Sequence, residues 1–320
     1  MQKTITVFGG TGFLGRHIIA ALAKSGAAIR VATRNPARAY FLRPCGDVGQ
    51  VVPLACDIHD NASVTAALRG ATHAIYLPGL LFEKGSNARF EKIHAEAPSR
   101  VARIAKEQDL ELLVHMSSLG ASKDALSAYA RTKAQGEDLV IHGFARSVIL
   151  RPSVIFGPDD DFFNRFARLA QKTGMIPLIG GGRTKMQPVY VGDVADAVTR
   201  IIRDPQPEKY FGQIYELGGP AVYSFRALMD LLQAETKRKA CYADLPFGLA
   251  KIAGTFASLL PKPPLTADQV RSLQSDNVIE ANSPGLKELG ITPQSLETIL
   301  PTYLYQYWPG GRYAQKRQAE

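Results

Sequence analysis

An apolar, β-forming run, Ile5 to Phe8, passes straight into Gly9-Gly10-Thr11-Gly12-Phe13-Leu14-Gly15 and then into helix-forming sequence. No other stretch constrains the fold as strongly. Glycines spaced three apart at a strand-to-helix junction let the chain turn sharply and let the helix pack closely on its strand. The N–H groups and the dipole at such a helix start favour a pyrophosphate. A ligand-free turn would use the same glycines only for their positive φ angles. The place of the triplet, between the first strand and the first helix, favours a dinucleotide site. Gly9, Gly12 and Gly15 shape that site, with Thr11, Phe13 and Leu14 in its backbone.

The following sequence keeps alternating. Helical stretches at 17–24, 61–69, 87–107 and 124–142 separate apolar runs at 29–33, 51–55, 74–77, 112–116 and 147–150. This predicts an α/β fold, a Rossmann-type doubly wound parallel sheet with helices on both faces and ligands beyond the strand carboxyl ends. In such folds the residue about 20 positions past the last glycine meets the adenosine ribose, an acid suiting a 2′-hydroxyl and arginine a 2′-phosphate. That point falls at Asn35, beside Arg34, and no acid follows until Asp47. The expectation is therefore NADPH (NADP) in preference to NAD, with Arg38 as a further phosphate contact. The alternative for Arg34 is a solvated charge at a strand end. Asp57, after the third strand, either reaches the adenine amine or caps the helix that begins near Ser63.

Further candidates collect at the same strand ends. Leu77 and Pro78 follow the fourth strand and Ser118 the fifth. Tyr129 and Lys133 lie four apart and so share a helix face. Arg151 and Pro152 close the sixth strand. The pattern then changes to short mixed elements, which divides the chain into a dinucleotide domain at 1–157 and a smaller mixed α/β region of substrate type at 158–320. Segments such as 183–203 return to the first domain. No repeat or low-complexity linker separates the two.

Composition narrows the function classes. A chain of 320 residues with 46% hydrophobic and 21% charged residues has the make-up of an ordinary soluble protein. Cys45, Cys56 and Cys241 have no metal-ligand spacing, so no metal site and a reducing compartment are expected. The net charge of +9 is dispersed apart from Lys237-Arg238-Lys239 and the tail from Arg312 to Arg317. With no DNA-reading element, no nucleic-acid partner is expected. The first strand starts too early to leave room for a signal peptide, which points to a cytoplasmic protein or a processed mature form. No apolar run approaches the roughly 20 residues that span a bilayer. Pro246 to Leu260 carries one charge, Lys251. As a helix it either lies on a membrane surface or is buried all round.

The glycine triplet, Ser118, Tyr129-x-x-x-Lys133 and Arg151-Pro152 together resemble the extended short-chain dehydrogenase/reductase superfamily, over the whole chain. The resemblance implies that Tyr129 is an acid/base, that Lys133 holds the nicotinamide ribose and that Ser118 bonds a substrate carbonyl or hydroxyl. An adjacent ammonium and a cationic nicotinamide would then stabilise the Tyr129 phenolate. Asp47-Val48-Gly49-Gln50, the segments 115–121 and 151–164, and the run from Gln187 to Val194 resemble a narrower branch. It contains the NAD(P)-binding accessory subunit of respiratory complex I, the NADH:ubiquinone oxidoreductase, and its bacterial relatives. This implies tightly held NADPH, a structural role and complex I subunits or a membrane surface as partners. It also implies a peripheral place on the cytoplasmic face of a bacterial inner membrane, or on the matrix side for a processed organellar form. Two departures, the short connection from Ser118 to Tyr129 and the Leu77-Pro78-Gly79 turn, bear on substrate binding. The competing expectation is a free NADP-dependent reductase, dehydrogenase or epimerase acting on a small molecule. A weaker one is a regulator that senses NADP redox status.

Overall fold

The computed structural model describes residues 3–258, 260, 263 and 265–310. Leu259, Pro261, Pro264 and the basic tail from Arg312 lie outside the described residues. Seven strands form the main sheet: β1 (Thr4–Phe8), β2 (Ala28–Thr33), β3 (Val51–Ala55), β4 (His73–Tyr76), β5 (Leu112–Met116), β6 (Ser147–Pro152) and β7 (Ile214–Leu217). Their order is β7-β6-β5-β4-β1-β2-β3, and every neighbouring pair is parallel. The doubly wound sheet expected from the alternation is present. Five helices go with it: α1 (Phe13–Ala23), α2 (Asn61–Leu68), α3 (Ala97–Glu107), α4 (Ala128–Gly143) and α5 (Val191–Arg203).

Alternation along each strand sends side chains to opposite faces. Phe8, Ala32, Tyr76, Leu113 and Ile149 meet Val64 of α2, Val101 of α3 and Val140 of α4 in one buried cluster. On the opposite face Val7 and Val31 converge with Ile19 of α1 around Gly10. The chain runs outward one way through β2 and β3 and the other way through β4, β5 and β6. The crevice of the switch point therefore opens at the carboxyl ends of β1 and β4.

The molecule falls into two compact units. The first runs through Pro152 and takes back Gly192–Leu217 and Glu280–Thr292; the second holds Ser153–Val191, Gly218–Ile279 and the chain from Pro293. The first boundary thus stands at residue 152 rather than 157, and the returning segments are 192–217 and 280–292, with 183–191 staying in the second unit. The reason is β7, which pairs with β6 at Ile214↔Ile149 and draws in the 280–292 segment. There Glu216 N–H donates to the Pro284 carbonyl at 2.9 Å.

Helix starts differ from expectation where capping or packing decides them. The third predicted helix does not begin near Asn87: Glu91–Glu96 forms a π-turn that leads into α3. The fourth begins at Ala128 rather than near residue 124, because the Ser127 side chain accepts the Ala130 N–H and caps it.

The second unit is mixed α/β. Met175–Ile179 pairs in parallel with Cys241–Leu245, and Tyr223–Ser224 pairs antiparallel with Lys185–Met186. Asp160, 2% exposed, accepts from Tyr303 Oη at 2.6 Å and from the Gly157 and Asn164 N–H groups at 3.1 Å. Gln187 donates to the Gly219 carbonyl at 2.7 Å and accepts the Ile279 N–H at 3.2 Å. These residues of the branch-like motifs therefore bind the second unit together.

The apolar helix spans Phe247–Ala257 and is not buried all round. Two of its small residues face inward: Ala250 is buried, and a Cβ on Gly254 would stand 2.7 Å from Ala267 N. Phe247 packs on the buried Ile179, Ala250 and Val270, while Leu249, Ile252 and Phe256 face outward, 58%, 57% and 70% exposed. Among the described residues no helix is long and apolar enough to cross a membrane.

Candidate functional site

The glycine turn has the geometry of a cradle. Gly9 takes φ +77°, and a Cβ there would stand only 3.1 to 3.3 Å from Pro78. Gly12 N–H donates to the Gly9 carbonyl at 3.1 Å, which closes the turn. A Cβ on Gly15 would stand 2.6 Å from both Gly10 Cα and the Gly9 carbonyl oxygen, so α1 can approach β1 only with glycine there. A Cβ on Gly12 would meet only the Gly9 oxygen, at 3.4 Å, which leaves the outer side of the turn open. No side chain caps α1. The first-turn N–H groups, those of Phe13 and Leu14 among them, have no acceptor within the helix. This open, N–H-lined turn fits a dinucleotide pyrophosphate.

On the β2 side, Arg34 stands one residue past the strand and is exposed, as is Arg38. Neither makes an ion pair among the described residues. Asp57 follows β3 and is also exposed; its carboxylate accepts the His59 N–H at 3.0 Å. Asp57 is not the helix cap. Asp60 caps α2 by accepting the Ser63 N–H at 2.8 Å. The Cys56 N–H bonds the Thr33 carbonyl at 2.9 Å, so Arg34 and Asp57 leave adjoining strand ends.

On the β4 side, Leu77 N–H donates to the Phe8 carbonyl at 3.1 Å and carries the sheet pairing one residue further. Pro78 then packs on the glycine turn, and Gly79 is exposed. Lys133 is 3% exposed and donates to the Met116 carbonyl at 3.0 Å, at the end of β5. Burial lowers its pKa to about 8, against the opposing pull of Glu137. Tyr129 lies edge-on to the His94 ring, 5.1 Å between centroids, and to Phe90 at 6.0 Å. Burial pushes the Tyr129 phenol up, with the Ser118 hydroxyl pulling the other way. The sequence pattern predicts instead a phenol lowered by Lys133, whose ammonium is directed to the Met116 carbonyl. Ser118 Oγ faces the phenol closely enough to favour its ionisation, yet it is buried without a hydrogen bond of normal geometry.

Arg151 is committed elsewhere. Its fork donates to both Glu137 oxygens, Nε to Oε1 at 2.9 Å and Nη2 to Oε2 at 2.6 Å, and Nη1 reaches Glu216 at 3.5 Å. These ties join β6 to α4 and β7, so the guanidinium expected at the cofactor serves as a structural pin. Pro152 accepts the Leu119 N–H through its carbonyl at 2.9 Å and so anchors the segment that carries Ser118.

Two residues missed by sequence reasoning are His94 and His115. Both are 0% exposed. His115 on β5 stacks on Tyr76 at 5.6 Å, and neither of its ring nitrogens has a hydrogen-bond partner. Burial, then the charge of Lys133, lowers its pKa to about 3. A polar residue inside an apolar strand was the available signal for His115; for His94 a helical pattern offered none. A concavity of about 630 Å³ on the first unit runs along α4, between Glu91, Arg131 and Leu139, and does not include the glycine turn. Among the described residues no group of three or more His, Cys, Asp or Glu could hold a metal ion.

Residues 5–218 match the NAD dependent epimerase/dehydratase family. The chain is 34% identical to the mitochondrial NADH dehydrogenase (ubiquinone) 1 alpha subcomplex subunit 9 of Arabidopsis thaliana, over 96% of this chain and 78% of that protein. With the Mus musculus subunit of the same name the identity is 34%, over 91% and 77%. Among solved structures, a nucleoside-diphosphate-sugar epimerase from Staphylococcus aureus superposes with a TM-score of 0.74 at 18% identity, covering 94% of this chain and 100% of that one.

Proposed function

We propose, for a chain that belongs to the NAD dependent epimerase/dehydratase family and to its branch of mitochondrial NADH dehydrogenase alpha subcomplex subunits, that it binds NADP(H) at the glycine turn and serves as an accessory, membrane-associated component of a respiratory NADH:ubiquinone oxidoreductase. The observation that carries this reading is the 34% identity running along 96% of the chain, through both units and not the dinucleotide half alone.

Particular residues support it. Backbone N–H groups from Thr11 to Gly15 would hold the pyrophosphate, with Gly9 and Gly12 leaving room for it. Arg34 would meet the 2′-phosphate and Asp57 the adenine amine. Leu77 and Pro78 would wall the nicotinamide half, and Tyr129 and Lys133 would hold its ribose. Replacing Arg34 by Ala should weaken NADPH binding about tenfold, the worth of one charge-assisted contact, while NADH binding stays unchanged. Fluorescence titration with both dinucleotides measures this. An equal loss for both would remove Arg34 from the 2′-phosphate.

The outward stripe of Leu249, Ile252 and Phe256 supports membrane association, since an apolar helix face at a surface seeks a partner. The net charge of +9 favours an anionic lipid surface. The location proposed is the cytoplasmic face of a bacterial inner membrane, or the matrix side in a mitochondrion. Gentle solubilisation of native membranes followed by separation of intact complexes tests the whole reading. The chain should travel with NADH:ubiquinone oxidoreductase activity, and recovery only as a free soluble species would defeat it.

A second reading, a free NADP-dependent reductase, dehydrogenase or epimerase, is favoured by the placing of the Ser118 hydroxyl against the Tyr129 phenol, on the helix that carries Lys133. A bound nicotinamide would supply hydride transfer. Ser118 would orient a carbonyl or hydroxyl, and Tyr129 would pass a proton at its phenol oxygen. Turnover of carbonyl or sugar-nucleotide substrates that Tyr129→Phe leaves unchanged would eliminate this role for Tyr129.

A further inference from the structure

We propose that His94 is a positioning residue for the nicotinamide end of the site, a neutral imidazole that clamps the Leu77–Leu80 segment to α4 and holds Gly79 open above Lys133. The inference rests on the reading that the chain binds NADP(H).

The backbone sets the geometry first. Glu91–Glu96 is a π-turn, which widens the helix locally and displaces its carbonyls from the regular ladder. The His94 carbonyl oxygen occupies the place where a Cβ on Gly136 would be, so α4 closes on the π-turn only because residue 136 is glycine. With that backbone fixed, the imidazole points inward. It is 0% exposed, stacks on Phe90 at 5.3 Å and meets the Tyr129 ring edge-on at 5.1 Å.

The hydrogen bonds then determine the tautomer. Leu80 N–H donates to His94 Nε2 at 3.0 Å, so that nitrogen carries no proton. The proton sits on Nδ1 and is donated to Thr132 Oγ1 at 3.1 Å. The Thr132 hydroxyl in turn donates to the Ala128 carbonyl at 2.9 Å. The chain of donors has one direction, from Leu80 through His94 into the first turn of α4, and it requires neutral imidazole. Burial, with the charges of Lys133 and His115, keeps the ring neutral by lowering its pKa to about 2.

One side chain thereby ties together the segment after β4, the π-turn before α3 and the helix that carries Tyr129 and Lys133. The segment it holds passes directly over the lysine: a Cβ on Gly79 would stand 3.6 Å from Lys133 Nζ and 4.0 Å from His94 Nε2. Sheet order places β4 and β5 on the side of β1 opposite β2 and Arg34. A dinucleotide whose adenosine half lies toward Arg34 extends its nicotinamide half over this segment. His94 therefore acts through the Leu80 backbone and through α4, without touching the ligand.

The test compares NADPH with adenosine 2′,5′-bisphosphate, which lacks the nicotinamide half, on the full chain. His94→Ala should weaken NADPH about tenfold, the worth of one buried hydrogen bond, and change adenosine 2′,5′-bisphosphate by less than about twofold. His94→Gln, which keeps an acceptor for Leu80 N–H, should restore NADPH affinity to within about threefold of the parent. In the absence of nucleotide, hydrogen exchange of the Leu80 amide should quicken about tenfold or more in His94→Ala, with the β5 amides unchanged. Equal loss of both ligands, no loss of either, or an unaltered Leu80 amide would overturn the clamp. If the parent protein binds neither nucleotide, the NADP(H) reading fails, and the Leu80 exchange still decides whether His94 clamps the segment.

Discussion

Gly15→Ala abolishes dinucleotide binding, with an affinity loss of about a hundredfold or more, and lowers stability by about 2 kcal/mol. The new Cβ would lie 2.6 Å from Gly10 Cα and from the Gly9 carbonyl oxygen. Both neighbours are backbone, so neither can swing aside. Relief comes only from moving α1 away from β1 or opening the turn, and either displaces the N–H groups that face the pyrophosphate. Gly12→Ala provides the contrast, because its Cβ would meet only the Gly9 oxygen at 3.4 Å. It should lower affinity by occupying ligand space while changing stability by less than about 1 kcal/mol. Titration calorimetry with NADPH and urea unfolding of the three proteins separate the effects. A Gly15→Ala protein that binds NADPH normally would show that the turn is not the pyrophosphate site.

The second large effect is loss of stability in mild acid. His73, His94 and His115 are all buried in the first unit, and burial carries their pKa values from 6.5 to about 4, about 2 and about 3. Above pH 6.5 both folded and unfolded chains hold these rings neutral, and the lowered values have no effect. Below it the unfolded chain takes up three protons that the folded chain refuses, so stability falls as pH falls. Each histidine contributes about 1.4 kcal/mol per pH unit. Together they remove about 7 kcal/mol between about pH 6.5 and 4.5. Lys133 acts at the other end of the scale. Its folded pKa of about 8 lies below its ordinary 10.5, so stability rises with pH across that interval as the folded chain gives up its proton first. Urea midpoints measured from neutral to acid pH test the histidines. His115→Phe, which keeps a ring against Tyr76 and removes one of the three titrating groups, should lower the slope by about a third. A midpoint unchanged from pH 7 to 5 would contradict the assignment.

The legible parts of this molecule were those decided by neighbours in sequence. The glycine turn is one strand, one turn and one helix, and Arg34 follows β2 by a single residue, so a local pattern was enough to place both. β7 was not legible, because Ile214–Leu217 becomes a strand only by pairing with β6 across a long intervening segment. Arg151 was placed correctly at a strand end, yet its role depends on Glu137 and Glu216, 14 and 65 positions away. No spacing rule connects them. Lys133 reads as the neighbour of Tyr129 on a helix face, while the structure gives its ammonium to a β5 carbonyl and leaves burial to control the phenol. The π-turn at His94 depends on the missing side chain of Gly136, a tertiary condition that a helical pattern does not express. In the helix Phe247–Ala257 the apolar composition was plain, but its orientation was not. Close packing at Gly254 turns Ala250 and Gly254 inward and leaves Leu249, Ile252 and Phe256 outside.

Whether the chain holds NADP(H) at the turn from Gly9 to Gly15 as part of its architecture is decided most directly by the dinucleotide released on denaturing protein purified gently from its native source. NADP(H) in an amount equimolar with the chain, its redox state unchanged by carbonyl substrates, is the predicted result. NAD(H) in its place, no dinucleotide, or a cofactor that turns over with such substrates would contradict it.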